Sequence, residues 1–126
     1  MYADTDFLLA ILKDKDWLKE NAEQIYKKHQ GDIWTSAVTI QELLIIAKRE
    51  GLEQLKLIEA VQNLVEVREV TLTLEVLVKA AHLMQEEHTT LFDPLQAIVC
   101  GDEAILSSDK IYDKLGLNRI KLEEKQ

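Results

Sequence analysis

The sequence contains very little cysteine, proline or glycine, with one, one and four residues respectively among 126. The single cysteine, Cys100, cannot form a disulfide within the chain, which fits a reducing compartment. The N-terminus lacks the basic start and apolar stretch of a secretory signal, and apolar runs such as 7–12 are far shorter than the roughly 20 residues of a membrane span. We therefore expect a cytoplasmic protein that does not enter a membrane.

Basic residues are also few: the chain has 15 Lys and Arg against 23 Asp and Glu, which gives a formal net charge of -8. Such a surface repels nucleic acid as a whole, so any nucleic-acid chemistry has to be organised locally by bound cations or a basic rim. The histidines His29, His82 and His88 are scattered and form no zinc-binding pattern with Cys100. Apolar residues make up 47% of the chain, enough for one core, and we expect residues 1–126 to form a single domain.

Strand-like and helix-like segments alternate along the chain. Five short segments are expected to be strands, at 1–4, 33–38, 67–72, 104–107 and 119–122. The segments between them carry apolar residues at helical spacing, as in Leu55, Ile58, Val61 and Val65. This alternation predicts βαβ units and therefore an α/β fold, with a central parallel sheet and helices covering both of its faces.

Four acidic residues stand where the chain leaves a predicted strand or enters a helix. Asp4 closes the first strand, Glu42 follows the second, Asp93 opens a helix, and Asp109 follows the strand at 104–107. In an open parallel sheet, ligands bind at the carboxyl ends of the strands. If the strands that carry these acids are neighbours, four carboxylates converge on one pocket.

A cluster of this kind predicts a cation site. Two carboxylates about 5 Å apart repel by roughly 3 kcal/mol at an effective dielectric constant of about 20, so an empty cluster is costly. A divalent cation reverses the sign of the local field, and carboxylate oxygens suit Mg²⁺ or Mn²⁺ better than zinc. One or two such ions would be held by Asp4, Glu42, Asp93 and Asp109.

Each acid also has a purely structural interpretation, because acids are favoured at helix N-termini. Glu42 completes a capping-box pattern with Thr39, and Asp93 precedes Pro94 as an N-cap would. Asp109 would occupy the first turn of a helix capped by Ser108. Asp4 fits this interpretation least, since the neighbouring Asp6 is the better cap for the helix that follows.

Hydroxyl and aromatic residues near the acids leave two interpretations open. The hydroxyl residues beside the acids would hydrogen-bond to metal-binding carboxylates or to water, or would serve only as turn and cap residues: Thr5, Ser36, Thr39, Ser107 and Ser108. Trp17, Trp34 and Tyr112 would stack on bases or pack in the core, and we favour the core. Four cationic side chains near the predicted site are expected to be solvated surface instead of phosphate contacts: Lys48, Arg49, Lys110 and Lys114.

Taken together, the four segments that carry the acids resemble the motifs of PIN domains, and among these the toxins of bacterial and archaeal toxin–antitoxin operons. The segments are 2–9, with Asp4 in the place of the first metal ligand; 35–43, where Glu42 matches the glutamate of the family; 93–98, with Asp93; and 105–110, with Asp109. The similarity spans essentially the whole chain in the right order. Each motif alone is short, and the conjunction of the four carries the resemblance.

The resemblance implies a three-layer α/β/α sandwich around a central parallel sheet, and Mg²⁺- or Mn²⁺-dependent cleavage of RNA that leaves a 5′-phosphate and a 3′-hydroxyl. It also implies inhibition by a partner antitoxin and assembly into homodimers. The chain departs from the family at Asp6, where asparagine is usual, so that Asp6 would either orient Asp4 or join the metal ligands. It departs again at Ile111 and Tyr112, where an acid and an aromatic residue are common.

Two other functions remain open on sequence grounds. In one, the acids are only caps and the chain is a non-catalytic PIN-like binding module. In the other, Asp4 and Asp6 act as the two aspartates of a phosphatase or phosphotransfer protein, although the chain is short for such an enzyme. One α/β architecture serves many functions, so the fold alone does not choose between them.

Overall fold

A computed structural model describes all residues, 1–126, and contains five strands and seven helices. The strands are β1 (Tyr2–Ala3), β2 (Trp34–Ser36), β3 (Glu66–Arg68), β4 (Ile105–Ser107) and β5 (Arg119–Lys121). The helices are α1 (Thr5–Leu12), α2 (Lys19–Lys28), α3 (Ala37–Glu50), α4 (Gln54–Leu64), α5 (Leu74–Glu87), α6 (Phe92–Cys100) and α7 (Ile111–Lys114). Each predicted strand segment overlaps one observed strand.

The strands form one parallel sheet in the order β3-β2-β1-β4-β5. Tyr2 of β1 lies opposite Trp34 of β2 on one side and Ile105 of β4 on the other. The central position of β1 therefore brings the carboxyl ends of β1, β2 and β4 side by side. All strands run in the same direction, which confirms the predicted parallel sheet.

Helices pack on both faces of the sheet because successive residues of a strand point to opposite sides. Ala3 and Leu106 belong to the larger buried cluster, which also contains residues of α1, α2 and α4. Their neighbours Tyr2 and Ile105 belong to a second cluster with residues of α6 and α7, including Cys100. The α/β/α sandwich is thus confirmed, and Cys100 is a buried core residue as expected.

Two local expectations are wrong. The strand expected at 67–72 ends at Arg68, because Arg68 pairs with Ser36 and β2 stops there, so that later residues have no partner. Trp17, expected in the core, is 76% exposed, since α2 begins only at Lys19 and the tryptophan lies in the preceding turn. Trp34 and Tyr112 are buried, as expected.

All seven helices are short. The longest, α3 and α5, have 14 residues each. No helix combines the length and the apolar composition that crossing a membrane requires.

An acidic cavity as candidate active site

The carboxyl ends of the central strands open into an acidic cavity. The first two strands lead directly into helices, α1 after Asp4 and α3 after Ser36, while the chain after β4 forms a turn that contains Asp109. Glu42 projects from the second turn of α3, and Asp93 from the first turn of α6. The residues that line this cavity of about 330 Å³ are Asp4, Thr5, Asp6, Leu9, Glu42, Ile46, Asp93, Ser108 and Asp109.

Asp4 is buried at 6% exposure and is held by three hydrogen-bond donors. Its Oδ1 accepts from the backbone N–H of Thr5 at 2.8 Å and from the Tyr112 hydroxyl at 3.3 Å. Its Oδ2 accepts from the Ser107 hydroxyl at 2.7 Å. Burial and the charges of Asp6 and Glu42 raise the pKa of Asp4, while the bonds from Ser107 and Thr5 oppose this rise. These donors fix the orientation of a carboxylate that burial alone would disfavour.

Glu42 and Asp93 line other walls of the cavity. The Thr5 hydroxyl donates to Glu42 Oε1, so that one residue after Asp4 holds two acids through its backbone and its side chain. The pKa of Asp93 is raised from 3.8 to about 6, first by burial and then by the charges of Asp109 and Glu42. A carboxyl pKa raised in part by neighbouring carboxylates is what acids that share a pocket produce.

The turn at 107–109 carries Asp109 into the cavity and is fixed by two serines. Ser107 Oγ accepts from the backbone N–H of Asp109 at 3.0 Å while donating to Asp4. The backbone N–H and the hydroxyl of Ser108 both donate to Asp6 Oδ2, the former at 2.8 Å. Burial raises the pKa of Asp6, and the bonds from Ser108 lower it. The turn after β4 is therefore attached to the turn after β1 at two points.

The donor set fits a hydrated divalent cation. As the side chains stand, no three Asp, Glu, His or Cys residues are arranged to hold one metal ion between them. Mg²⁺, however, keeps several of its waters in proteins and binds through only one or two carboxylates. Five carboxylates around a cavity of about 330 Å³ leave room for those waters and supply the negative charge. Burial, and after it the charges of neighbouring carboxylates, raise the pKa values of Asp4, Asp6 and Asp93, and a cation in the cavity would offset this cost of ionisation.

The model of one protein family matches most of the chain: the PIN domain model covers residues 1–117. The chain belongs to the PIN domain family. A search of curated proteins by sequence finds no match. Membership of the family therefore follows from the match to the family model.

Three solved structures resemble this PIN domain closely in fold at low sequence identity. A toxin–antitoxin complex from Klebsiella pneumoniae has a TM-score of 0.67 at 16% identity, covering 99% of this chain and 98% of the other. Mycobacterium tuberculosis VapC20, described as a toxin that cleaves the sarcin–ricin loop, has a TM-score of 0.73 at 17% identity, covering 92% of this chain and 95% of the other. FitAB bound to a DNA fragment has a TM-score of 0.73 at 10% identity, covering 99% of this chain and 96% of the other.

The structure of this PIN domain brings all four predicted acids, and Asp6, to one cavity. Of the hydroxyl residues predicted to bond the acids, Ser107 donates to Asp4, Thr5 to Glu42 and Ser108 to Asp6. Ser36 instead caps α3 through Val38 and bonds the hydroxyl of Tyr2, and Thr39 donates to Gln96. Sequence reasoning missed the Tyr112 hydroxyl, because nothing in the sequence places it beside Asp4.

The capping explanation fails for two of the acids. The N-cap of α3 is Ser36 and not Thr39, and Thr39 is buried inside the helix, where it donates to Gln96. Glu42 is thus beyond the helix start and has no capping role. The cap residue of α6 is Leu91, so Asp93 lies within the first turn and makes no cap hydrogen bond. Two other expectations about caps are wrong: Asp4, and not Asp6, is the N-cap of α1, and Asp109 precedes α7 instead of lying in its first turn. Asp109 Oδ1 accepts from the N–H of Ile111.

Proposed function

We propose that this protein is a metal-dependent endoribonuclease, the toxin of a toxin–antitoxin pair. The observation that carries the proposal is the convergence of Asp4, Asp6, Glu42, Asp93 and Asp109 on one cavity in a member of the PIN domain family. Acids that served only as caps would be spread over separate helix starts, as the distribution of Glu20 and Glu75 in other first turns illustrates. The fold neighbours include a protein described as an RNA-cleaving toxin.

In this proposal Asp4, Glu42, Asp93 and Asp109 hold one or two Mg²⁺ or Mn²⁺ ions. A bound ion of this kind lowers the pKa of water, binds phosphate oxygens and neutralises charge on the leaving oxygen. The chain contributes orientation: Ser107, Tyr112 and the Thr5 N–H hold Asp4, and the Thr5 hydroxyl holds Glu42. Leu9 and Ile46 form an apolar wall of the cavity.

The decisive experiment is cleavage of mixed RNA and DNA oligonucleotides by metal-free protein to which Mn²⁺ is added. Wild-type protein should cleave RNA only with Mn²⁺ and leave 5′-phosphate and 3′-hydroxyl ends. Asp4→Asn should lose cleavage while remaining folded, because the amide keeps its size but loses charge. Asp102→Asn removes an exposed acid outside the cavity and should cleave normally. Cleavage by Asp4→Asn at the wild-type rate would refute the proposal.

A basic segment of an antitoxin would suit this cavity as an inhibitor. The net charge of -8 and the clustered carboxylates attract positive side chains, which compete with the cation. Two of the solved structures with this fold are a toxin–antitoxin complex and FitAB bound to DNA. Co-expression with the adjacent open reading frame should yield a stable complex that does not cleave RNA. A complex with full activity would contradict inhibition at this site.

A homodimer is part of the proposal because several large apolar side chains are exposed on and near α5. Five large apolar side chains on and beside α5 are exposed: Leu72, Leu74, Leu77, Val78 and Leu91. Surfaces of this kind mark protein interfaces. Light scattering should give twice the chain mass for wild-type protein and a monomer for Leu74→Asp. The matched control is Leu55→Asp, which alters an equally exposed leucine on α4 and should remain a dimer.

A further inference from the structure

Asp6 joins two turns that are far apart in the sequence. It lies in the first turn of α1, and its Oδ2 accepts two hydrogen bonds from Ser108, 102 residues away. One of them comes from the backbone N–H at 2.8 Å and the other from the hydroxyl. The helix dipole favours an acid at this position of α1. It does not explain why the side chain is directed to the turn after β4.

The residue that gains from this contact is Asp109. Its own side chain is turned toward the start of α7, where Oδ1 accepts from the N–H of Ile111 at 3.0 Å, and the residue is exposed. Nothing covers it from outside. Its position depends on the turn 107–109, which Ser107 attaches to Asp4 and Ser108 attaches to Asp6. Loss of the Ser108 contact would leave the bond from Ser107 to Asp4 as the side-chain link between this turn and the start of α1.

We propose that Asp6 is a positioning residue that holds Asp109 at the acidic cavity through Ser108. The inference rests on the proposed function, since Asp109 is taken as a metal ligand. Groups that hydrogen-bond to the surroundings of ligands set their geometry, and their loss commonly weakens metal binding by 10–100-fold. Asp6 acts on Asp109 only through the neighbouring residue Ser108, so we expect its loss to weaken metal binding by about 10-fold, the lower end of this range.

Two substitutions of Asp6 separate this role from the effect of charge. Asp6→Asn and Asp6→Ala remove the same negative charge, but only asparagine keeps an oxygen that can accept from Ser108. The experiment is calorimetric titration of Mn²⁺ into metal-free protein for both variants, each with and without Ser108→Ala. The melting temperature of each variant is measured in parallel, because a purely structural role would change stability without changing Mn²⁺ affinity.

Asp6→Asn should bind Mn²⁺ about 10-fold more tightly than Asp6→Ala. Ser108→Ala should weaken binding in the wild-type and Asp6→Asn backgrounds and have no effect beside Asp6→Ala. Equal affinities of the two Asp6 variants would overturn the inference and indicate a direct ligand or a simple charge effect. Wild-type protein that binds no Mn²⁺ would instead overturn the proposed function. Thr71→Ala, an exposed hydroxyl outside the cavity, is the control for loss of a hydroxyl.

Discussion

Asp93→Asn offers a quantitative test of the electrostatics of the cavity. Burial and the charges of Asp109 and Glu42 raise the pKa of Asp93 from 3.8 to about 6. Between these two values the folded metal-free protein binds more protons than the unfolded chain, so its free energy of unfolding falls as pH rises from about 4 to 6. At higher pH the ionised Asp93 therefore lowers stability, and its neutral replacement removes this cost.

The size of the effect follows from the change in pKa. Each unit of pKa change corresponds to about 1.4 kcal/mol, so the rise in the pKa of Asp93 can lower the free energy of unfolding by at most about 3 kcal/mol. Asp93 is only partly buried, and solvent screening reduces the value, so we expect Asp93→Asn to be more stable by about 1–2 kcal/mol at pH 7.5. For a chain of this length that is a rise in melting temperature of about 3–8 °C.

The assay is thermal and urea unfolding in EDTA at pH 7.5 and at pH 4. The variant should gain stability at pH 7.5 and match wild type near pH 4, where Asp93 is largely protonated in the folded protein. Asp102→Asn, an exposed acid outside the cavity, should show no gain beyond a few tenths of a kcal/mol. A variant that is less stable than wild type at pH 7.5, or no more stable than Asp102→Asn, would refute the electrostatic reasoning.

Added Mn²⁺ extends this test to the metal. An ion that binds only the folded state stabilises it by about 2.7 kcal/mol at a concentration 100 times its Kd. Wild-type protein should gain this stability, whereas Asp93→Asn, with a weaker site, should gain less. The order of stability should therefore reverse when Mn²⁺ replaces EDTA. An equal gain in both proteins would show that Asp93 does not contribute to metal binding.

Three further predictions concern the surroundings of the site. Tyr112→Phe should lower the free energy of unfolding by about 1 kcal/mol, because it deletes only the hydroxyl that donates to Asp4; an unchanged urea midpoint would contradict this. Ser36→Ala should cost about 1–2 kcal/mol, since Ser36 caps α3 and bonds Tyr2, and a loss below 0.5 kcal/mol in the same assay would count against the cap. Leu43→Ala should cost about 2–5 kcal/mol, because Leu43 is 1% exposed; a surface-like loss would be the contrary result.

The acids of the site were predictable because topology determines where they lie. Asp4 follows a strand directly, and Asp109 comes two residues after β4, so the carboxyl edge of a parallel sheet must bring them together. Glu42 was placed correctly for a partly wrong reason. Its helix starts at Ala37, and Glu42 reaches the cavity from the second turn instead of the first.

The contacts among the site residues were not predictable in the same way. Whether Ser108 turns toward Asp6, or Tyr112 toward Asp4, depends on the backbone of the turn after β4 and on the packing of α7, which is only four residues long. Residue types give no orientation for a short helix whose position is set by tertiary packing. The hydroxyl residues near the acids were therefore visible in the sequence, while their partners were not.

The apolar residues of α5 show a different limit of periodicity. Val76 and Ala80 pack toward the core around Val38 and Leu95, while Leu74, at 77% exposure, lies on the outside together with Val78. A helical pattern shows that an apolar face exists but not what covers it. The inner apolar side of α5 is buried within the monomer, whereas its outer apolar side would be buried only by contact with another chain. The exposed side of α5 thus supports the proposed dimer, in which burial that the monomer lacks is completed between two chains.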